Sequence, residues 1–372
     1  MLEVGSERKR VDVIRCDALI VGGGPAGSTA ARLLRLAGWN VIVADRARFP
    51  RDKVCAGWLT PDVFPLLDLT PSDYRATGLT LQEITAFRTS VMGGCSVETR
   101  YPRVISYAIR RCEFDTFLLQ RAGVRILEDT FVRTLRQDRD KWIVNETIEA
   151  SVVVGAGGHF CPIARHLRGD TDDRDPIVAK EAEFPLGDAA TPVSGTTPEL
   201  YFCRDLQGYA WCVRKGDYMN VGIGRRGNIE FGDHVRSFIA FLERRGIITD
   251  ISNARWHGHA YFGSGVGARP VIGPGVLLVG DAAGLAYPES GEGIRPAIES
   301  GRLAAETLIA AGGRFGTEDL RPYADALRRL HPAVHQDPSP MRTVFAAIGR
   351  ALLSSRAFTR HVVIDRWFLR TV

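Results

Sequence analysis

The 372-residue sequence is poor in cysteine and methionine, with seven and four, and none of the cysteines forms a Cys-x-x-Cys pair. An odd, irregularly spaced set argues against a disulfide framework and for a reduced, cytoplasmic setting. No uninterrupted apolar run approaches the ~20 residues needed to span a bilayer. The first stretch, MLEVGSERKRVDVIR, is charged and lacks the apolar centre of a secretory signal. There is no internal repeat and no low-complexity tract. A Gly-x-Ser-x-Gly hydrolase elbow is missing as well. His159, His257 and His259 form no i, i+4 pair around an acid, so no metal is expected. The net charge of +5 is too small to argue for nucleic acid. It is unevenly placed, because residues 340–372 carry six Arg against one Asp.

What is present is the composition of a soluble globular enzyme, 45% hydrophobic and 24% charged. The length allows one composite domain or two smaller ones. Ala18-Leu19-Ile20-Val21 reads as a buried parallel strand, and Ala30, Ala31, Leu33, Leu34 and Ala37 follow at helical spacing. Between them stands Gly22-Gly23-Gly24-Pro25-Ala26-Gly27. In this GxGxxG pattern Gly22 permits a tight turn, Gly24 lets backbone approach a pyrophosphate, and Gly27 lets helix and strand pack closely. Pro25 and Ala26 open the helix, whose N-terminus offers free N–H groups to phosphate. A second strand, Val41–Ala44, ends in Asp45, eighteen residues beyond Gly27, where a carboxylate can accept ribose hydroxyls. Arg46 follows directly, so this half alone does not choose between FAD and a nicotinamide.

The stretch VLLVGDAAGLAYPESGEGI, ending at residue 294, supplies the rest. A flavin is longer than the pocket of one βαβ unit, so a second segment must reach the same sheet. The strand 276–279 followed by Gly280-Asp281 fits that need. Asp281 can accept ribityl hydroxyls, and Gly280 admits backbone to the diphosphate. Gly291, Glu292, Gly293 and Ile294 then bring backbone N–H groups and a helix end beside the flavin pyrimidine edge, where they stabilise negative charge. That helix runs from about Ile294 to Ala311, with Ala297, Gly301, Ala304 and Ala305 suited to packing closely on a sheet.

On these residues the chain resembles the geranylgeranyl reductase family, within the FAD-dependent superfamily of para-hydroxybenzoate hydroxylase type. DALIVGGGPAGSTAARLL is similar to that family's N-terminal motif. ARFPRDKVCAGWLTP (47–61) resembles its cysteine-bearing segment beside the flavin, giving Cys55 and Ala56. IRRCEFDTFLLQRAG (109–123) resembles its Arg-x-x-Phe-Asp helix start, giving Arg111 and Asp115. QGYAWCVRKGDYMNVGIG (207–224) resembles its substrate-face strands, with Tyr209 and Trp211 on one face. Three departures stand out, the first being Ala56 where the family often has Gly, with Trp58 following. Gly157-Gly158 replaces the superfamily's Asp-Gly pair, and Val213-Arg214 replaces the Phe-Pro that follows Tyr-x-Trp.

The resemblance implies an α/β (α+β) fold with three parts: a Rossmann-like FAD domain built on a parallel sheet, an antiparallel-sheet substrate domain, and C-terminal helices. The expected FAD domain is discontinuous, 13–80, 104–170 and 265–312. The substrate domain covers 81–103 and 171–264, interrupted by a helix at 231–245, and 313–372 is helical with Phe345, Ile348, Leu352 and Leu353 on one apolar face. GDTDDRDP (169–176) reads as an exposed interdomain loop. The implied activity is reduction of carbon–carbon double bonds in an apolar, isoprenoid-like substrate by hydride from reduced FAD, with Cys55 the candidate catalytic residue. No second GxGxxG unit marks a stable NAD(P)H site, so the reductant is NAD(P)H visiting transiently or a ferredoxin-like carrier. The C-terminal basic helices offer peripheral contact with anionic lipid. Two alternatives stay open: an FAD-dependent monooxygenase or halogenase, and a non-catalytic flavin- or lipid-binding protein.

Overall fold

The computed structural model describes residues 13–169, 176–187, 191–227, 229–248, 254–263, 266–267, 269–332 and 342–370. The first strand, Ile14–Val21, is buried along its second half, as a parallel strand covered on both faces must be. It pairs in parallel with Val41–Ala44 on one side and Ile148–Gly155 on the other. Arg125–Leu127 and Val276–Leu278 extend the sheet outward, also in parallel. Pro25 stands at the start of the first helix, Pro25–Leu36, where its fixed φ suits the helix and its missing N–H has no acceptor to lose. The helix N-terminus therefore sits at the carboxyl ends of the central strands, the place where doubly wound sheets bind ligands.

Close backbone approach fixes this corner. Gly22 adopts φ +115°, and a Cβ there would lie 2.4 Å from the Ala156 carbonyl oxygen. At Gly27 a Cβ would lie 1.9 Å from the Gly22 carbonyl oxygen. The helix Ile294–Ala311 does not lie on the sheet as its small residues suggest. It packs instead on the first helix, where a Cβ at Gly301 would fall 2.3 Å from the Ala26 carbonyl oxygen. A row of small residues serves either purpose, and here it lets two helix backbones touch.

The second layer is a seven-stranded sheet in the order His257–Tyr261, Ile177–Pro185, Tyr218–Arg226, Gly208–Lys215, Glu199–Phe202, Ala86–Val91, Ser96–Arg100. It is antiparallel except where Glu199–Phe202 runs parallel to Ala86–Val91, a departure from the all-antiparallel expectation. Parallel neighbours need a crossover connection, and here the crossover is the chain's excursion through the first sheet. The helix Phe231–Arg244 covers one face with Phe238 and Leu242. A three-stranded sheet of Trp58–Leu59, Ser106–Ala108 and Gln82–Ile84 joins the layers.

Thr317–Leu330 and Arg342–Leu353 are helical, and Thr359–Phe368 is a π-helical stretch. The apolar face expected of residues 345–353 is not buried as a unit. Leu353 is buried, whereas Ile348 and Leu352 are 53% and 41% exposed, and the Phe345 side chain lies outside the described residues. The π-helical stretch takes over the burial, with Val363, Ile364 and Phe368 in one cluster with Trp211 and Phe202. Residues 170–175 of the expected interdomain loop also lie outside the described residues.

Gly301→Ala tests the helix contact. A methyl group aimed at the Ala26 carbonyl must push the first helix off its seat, lowering stability by about 1–3 kcal/mol. Chemical denaturation is expected to give a lower midpoint with an unchanged slope; an unaltered midpoint would show that the helices have room to spare.

Candidate cofactor and substrate site

A cavity of about 800 Å³ opens between the two large sheets, at the upper end of the usual ~300–1,000 Å³ for ligand sites. Every cofactor residue expected from the sequence except Gly27 reaches its wall, and so do Tyr209 and Trp211. Gly27 lies behind the wall as a packing residue. Gly24 is the reverse case. A Cβ there would meet only the Arg51 guanidinium, at 3.4 Å, so the position borders open space at the helix N-terminus. No side chain caps that terminus, and its first-turn N–H groups lack intrahelical acceptors. This is a cradle for an anionic group.

Asp45 is buried and spans the glycine turn. Its Oδ2 accepts from Gly23 N at 2.7 Å and its Oδ1 from Ala47 N at 2.8 Å. A carboxylate has about four lone-pair sites, so the ribose-binding expectation remains compatible with this bracing. Gly280 takes φ +58°, and its N–H donates to Ser300 Oγ at 3.0 Å. That amide is committed within the protein. What Gly280 offers the cavity is the absence of a side chain, since a Cβ would sit 3.2 Å from the Ala26 Cβ.

Asp281 faces two bases that sequence reading did not connect with it. Lys53 Nζ lies 3.7 Å and His259 Nε2 3.6 Å from its Oδ2, while Lys53 and His259 are 2.6 Å apart. Burial works against the Asp281 charge, but its His259 and Lys53 neighbours hold the carboxyl well below its usual range. Burial pulls both Lys53 and His259 down. The Lys53 and His259 side chains thus both face the Asp281 carboxylate and meet each other beside it. The positions are 53, 259 and 281, and nothing local in the sequence links them.

Arg111 begins the helix Arg111–Ala122 and grips Asp115 through two hydrogen bonds of 2.8 Å. Arg51 adds a third contact to the same carboxylate at 3.3 Å. Burial disfavours the Arg111 charge, yet Asp115 more than offsets this and raises its pKa. Cys55 lies within electrostatic reach of Arg111, and Gly57 N donates to Cys55 Sγ at 3.3 Å. The sulfur is thus used as an acceptor. The Cys55 backbone N–H donates to Glu181 Oε2 at 2.7 Å, a carboxylate that sequence reading missed. Burial raises Glu181 to about 7 against the lowering effects of Lys215, the Cys55 N–H and Asn220. Its neighbour Glu183 receives Lys215 Nζ and Arg110 Nε at 2.8 Å each and stays below the usual range.

The far end of the cavity is aromatic. Tyr209 and Trp211 share a face, with ring centroids 6.1 Å apart. Phe368, from the C-terminal π-helical stretch, stacks on Trp58 at 5.0 Å and meets Tyr209 edge-on at 5.4 Å. The Tyr209 hydroxyl donates to the Ser290 carbonyl, tying the substrate-side strand to the loop before Ile294–Ala311. Arg370 pairs with Glu289 at 3.1 Å and covers the Tyr287 ring at 3.3 Å, so the C-terminal segment is clamped to that same loop. Among the described residues no helix is long and apolar enough to cross a membrane.

The family profile described as FAD binding domain matches residues 15–179. A digeranylgeranylglycerophospholipid reductase of Methanothrix thermoacetophila is 30% identical over 340 residues, covering 83% of this chain and 82% of that protein. A menaquinone reductase of Mycobacterium tuberculosis is 30% identical over 318 residues, covering 78% and 76%. Among solved structures, a geranylgeranyl bacteriochlorophyll reductase-like protein of Thermoplasma acidophilum superposes with a TM-score of 0.72 at 20% identity, over 97% of this chain and 92% of its own. A flavin-dependent brominase superposes with a TM-score of 0.69 at 18% identity, over 96% and 92%. These two likenesses show the fold. The open helix terminus, the vacant side of Gly24 and the two-segment wall suit an elongated dinucleotide, and FAD is the cofactor.

Glu181→Gln separates burial cost from hydrogen bonding. A raised carboxyl pKa means the folded state holds the proton more tightly. Its stabilising contribution is therefore full below the unfolded value near ~4.3 and fades as pH rises through about 7. Glutamine carries no charge at any pH. The variant is expected to match the wild type near about pH 5 and to exceed it by on the order of 2 kcal/mol near about pH 8.5. Thermal melts at both pH values decide the matter, and a variant weaker at both would mean that Glu181 is buried as an ion.

Proposed function

Because this chain belongs to the geranylgeranyl reductase family of FAD-dependent oxidoreductases, we propose that it saturates carbon–carbon double bonds in an apolar, isoprenoid-like chain. The observation that carries this reading is the aromatic chamber of Trp58, Phe202, Tyr209, Trp211 and Phe368 at the end of the cavity beyond Cys55. Apolar walls of this kind favour a hydrocarbon over a polar metabolite. On this reading residues 13–80, 104–170 and 265–312 hold the cofactor, 81–103 and 171–264 present the substrate face, and 313–372 close the chamber.

When bound, reduced FAD supplies the hydride. The chain's own residues hold, screen and position. The amides at the start of the first helix, with Gly22 and Gly24 beside them, receive the diphosphate, and Asp45 with Arg46 takes the adenosine ribose. Asp281, kept ionised by Lys53, accepts ribityl hydroxyls. The loop from Gly291 to Ile294 presents N–H groups at the start of a helix, where the dipole favours negative charge. Arg111 fixes Cys55 and Ala56 against the flavin side of the wall, and the aromatic side chains exclude water from the alkene. NAD(P)H visiting transiently or a ferredoxin-like protein delivers the electrons. Arg356 and Arg360, exposed like Ile348 and Leu352, offer an anionic lipid surface a basic and apolar contact through which a membrane-borne chain could be drawn.

The reductase reading is tested by photoreducing the holoenzyme without oxygen and adding geranylgeraniol in detergent. Oxidised-flavin absorbance is expected to return, with a saturated bond in the recovered alcohol. Return only after air is admitted, with an oxygenated or halogenated product, would move the assignment to a monooxygenase or halogenase. No return with either would favour a binding protein. Asp281→Ala is expected to weaken FAD binding by about 10–100-fold, on the order of 1.4–2.8 kcal/mol, in a fluorescence titration. Unchanged affinity would remove Asp281 from the cofactor wall.

A further inference from the structure

Glu292 lines the cavity, and nothing in the proposed reaction yet uses its side chain. Both of its carboxylate oxygens are shielded from solvent, with no hydrogen-bond partner among the described residues. The loop that carries it is held from several sides. Tyr287 N donates to the Glu292 carbonyl at 2.9 Å, and Gly291 N to the Tyr287 carbonyl at 2.8 Å. A Cβ on Gly291 would fall 2.3 Å from Tyr261 Oη, and one on Gly293 would fall 3.2 Å from Asp281 Oδ1. The backbone on both sides of Glu292 is therefore closely packed.

The charged and titratable groups around it are already engaged. Arg295 binds Glu299 at 2.8 Å and Asp62 at 3.0 Å. Arg370 binds Glu289 and covers Tyr287. His331, tilted against Tyr287 at 5.7 Å, is pushed down to about 4 by burial and by the two arginines, and so is neutral. Tyr209, on the substrate-side strand, lies within electrostatic reach of Glu292 and donates its own proton to Ser290. With its nearest cations committed to other acids, burial raises the Glu292 carboxyl to about 7.

An isolated alkene has no group to stabilise the carbanion that hydride addition alone would leave. A proton must therefore arrive with the hydride, from an acid that still carries one near neutral pH. We infer that Glu292 is that acid and that its carboxyl proton passes to the alkene carbon next to the one receiving hydride. This rests on the reductase reading. Two C–H bonds form while the π bond, the flavin N–H and the carboxyl O–H break. The reduced flavin loses two electrons, the alkene gains them, and the Glu292 carboxylate recovers its proton from solvent. Cys55 also lines the cavity, but its sulfur is engaged by the Gly57 N–H at 3.3 Å, whereas the Glu292 carboxylate oxygens have no partner among the described residues.

The experiment compares wild type, Glu292→Gln and Glu292→Asp as holoenzymes, photoreduced without oxygen and mixed with geranylgeraniol at about pH 6 to about pH 8.5. Wild-type flavin reoxidation is expected to slow above about pH 7. Glu292→Gln is expected to be slower by about 10²-fold or more and flat with pH, and Glu292→Asp to recover part of the rate with the pH break kept. FAD affinity is expected to be unchanged in both, and so is the thermal midpoint at about pH 5, where the carboxyl is protonated. Independently of turnover, the infrared difference between oxidised wild type and Glu292→Gln is expected to show a protonated-carboxyl band at about pH 6 that fades by about pH 8.5. A Glu292→Gln rate within about threefold of wild type with the same pH break would overturn the assignment, as would the missing band. Wild-type enzyme that geranylgeraniol cannot reoxidise at any pH would sink the reductase reading first, and the proton-transfer role with it.

Discussion

The structure turns on a contact in which no side chain takes part. The first helix is seated so low on the central strand that a methyl group at Gly27 would overlap the carbonyl of Gly22. The helix Ile294–Ala311 is seated so low on the first helix that Gly301 meets the Ala26 carbonyl in the same way. These two approaches stack strand, helix and helix without spacers. They bring the N-termini of both helices, Pro25–Leu36 and Ile294–Ala311, to one end of the sheet. Two positive dipole ends then border the cavity from segments more than 250 residues apart. A single larger side chain at either contact would move one end away from the other, and the cavity would lose the wall that makes it long enough for FAD.

At the cavity wall and directly behind it the acids divide into two electrostatic classes, and geometry makes the division. Asp115 and Asp281 each have cations in direct contact, Arg111 with Arg51 and Lys53 respectively. They are charges the site can use to hold or orient. Glu181 and the carboxylate oxygens of Glu292 are shielded from solvent and have no ion-pair contact among the described residues, so desolvation dominates and both rise to about 7. Asp281 is itself mostly enclosed, with its side chain 20% exposed, and yet stays ionised. What decides it is whether a cation stands within about 4 Å. A flavoenzyme that must bind a polyanionic cofactor and also deliver a proton into an apolar chamber needs both classes side by side.

The sequence was legible where function is local in the chain. The glycines at 22, 24 and 27, the carboxylate at 45 and the Gly-Asp at 280–281 are each explained by neighbours within a few residues, and the α/β fold class follows from them. The helices Phe231–Arg244 and Ile294–Ala311 begin and end where their apolar and small-residue spacing places them. Where the partner is distant, the pattern carries no such signal. Lys53, His259 and Asp281 meet only because a strand of the second sheet crosses the first sheet's edge. The parallel strand pair Glu199–Phe202 and Ala86–Val91 depends on a crossover longer than any local window. The packing partner of Ala297 and Gly301 was ambiguous because small residues permit close approach to a sheet or to a helix alike.

The C-terminal segment shows how far a charge count can mislead. Six arginines among the final residues suggest a solvated or lipid-facing surface. Two of the six are spent inside the protein, Arg350 on the Arg204 carbonyl at 2.8 Å and Arg370 on Glu289 at 3.1 Å. Both anchor the chain's end across the cavity, one at the loop near Leu206 and the other at the loop before Ile294–Ala311. Between these anchors Phe368 completes the aromatic stack with Trp58 and Tyr209. The chamber wall is thus finished by residues reached last in the chain and held by ion pairs and hydrogen bonds at its rim.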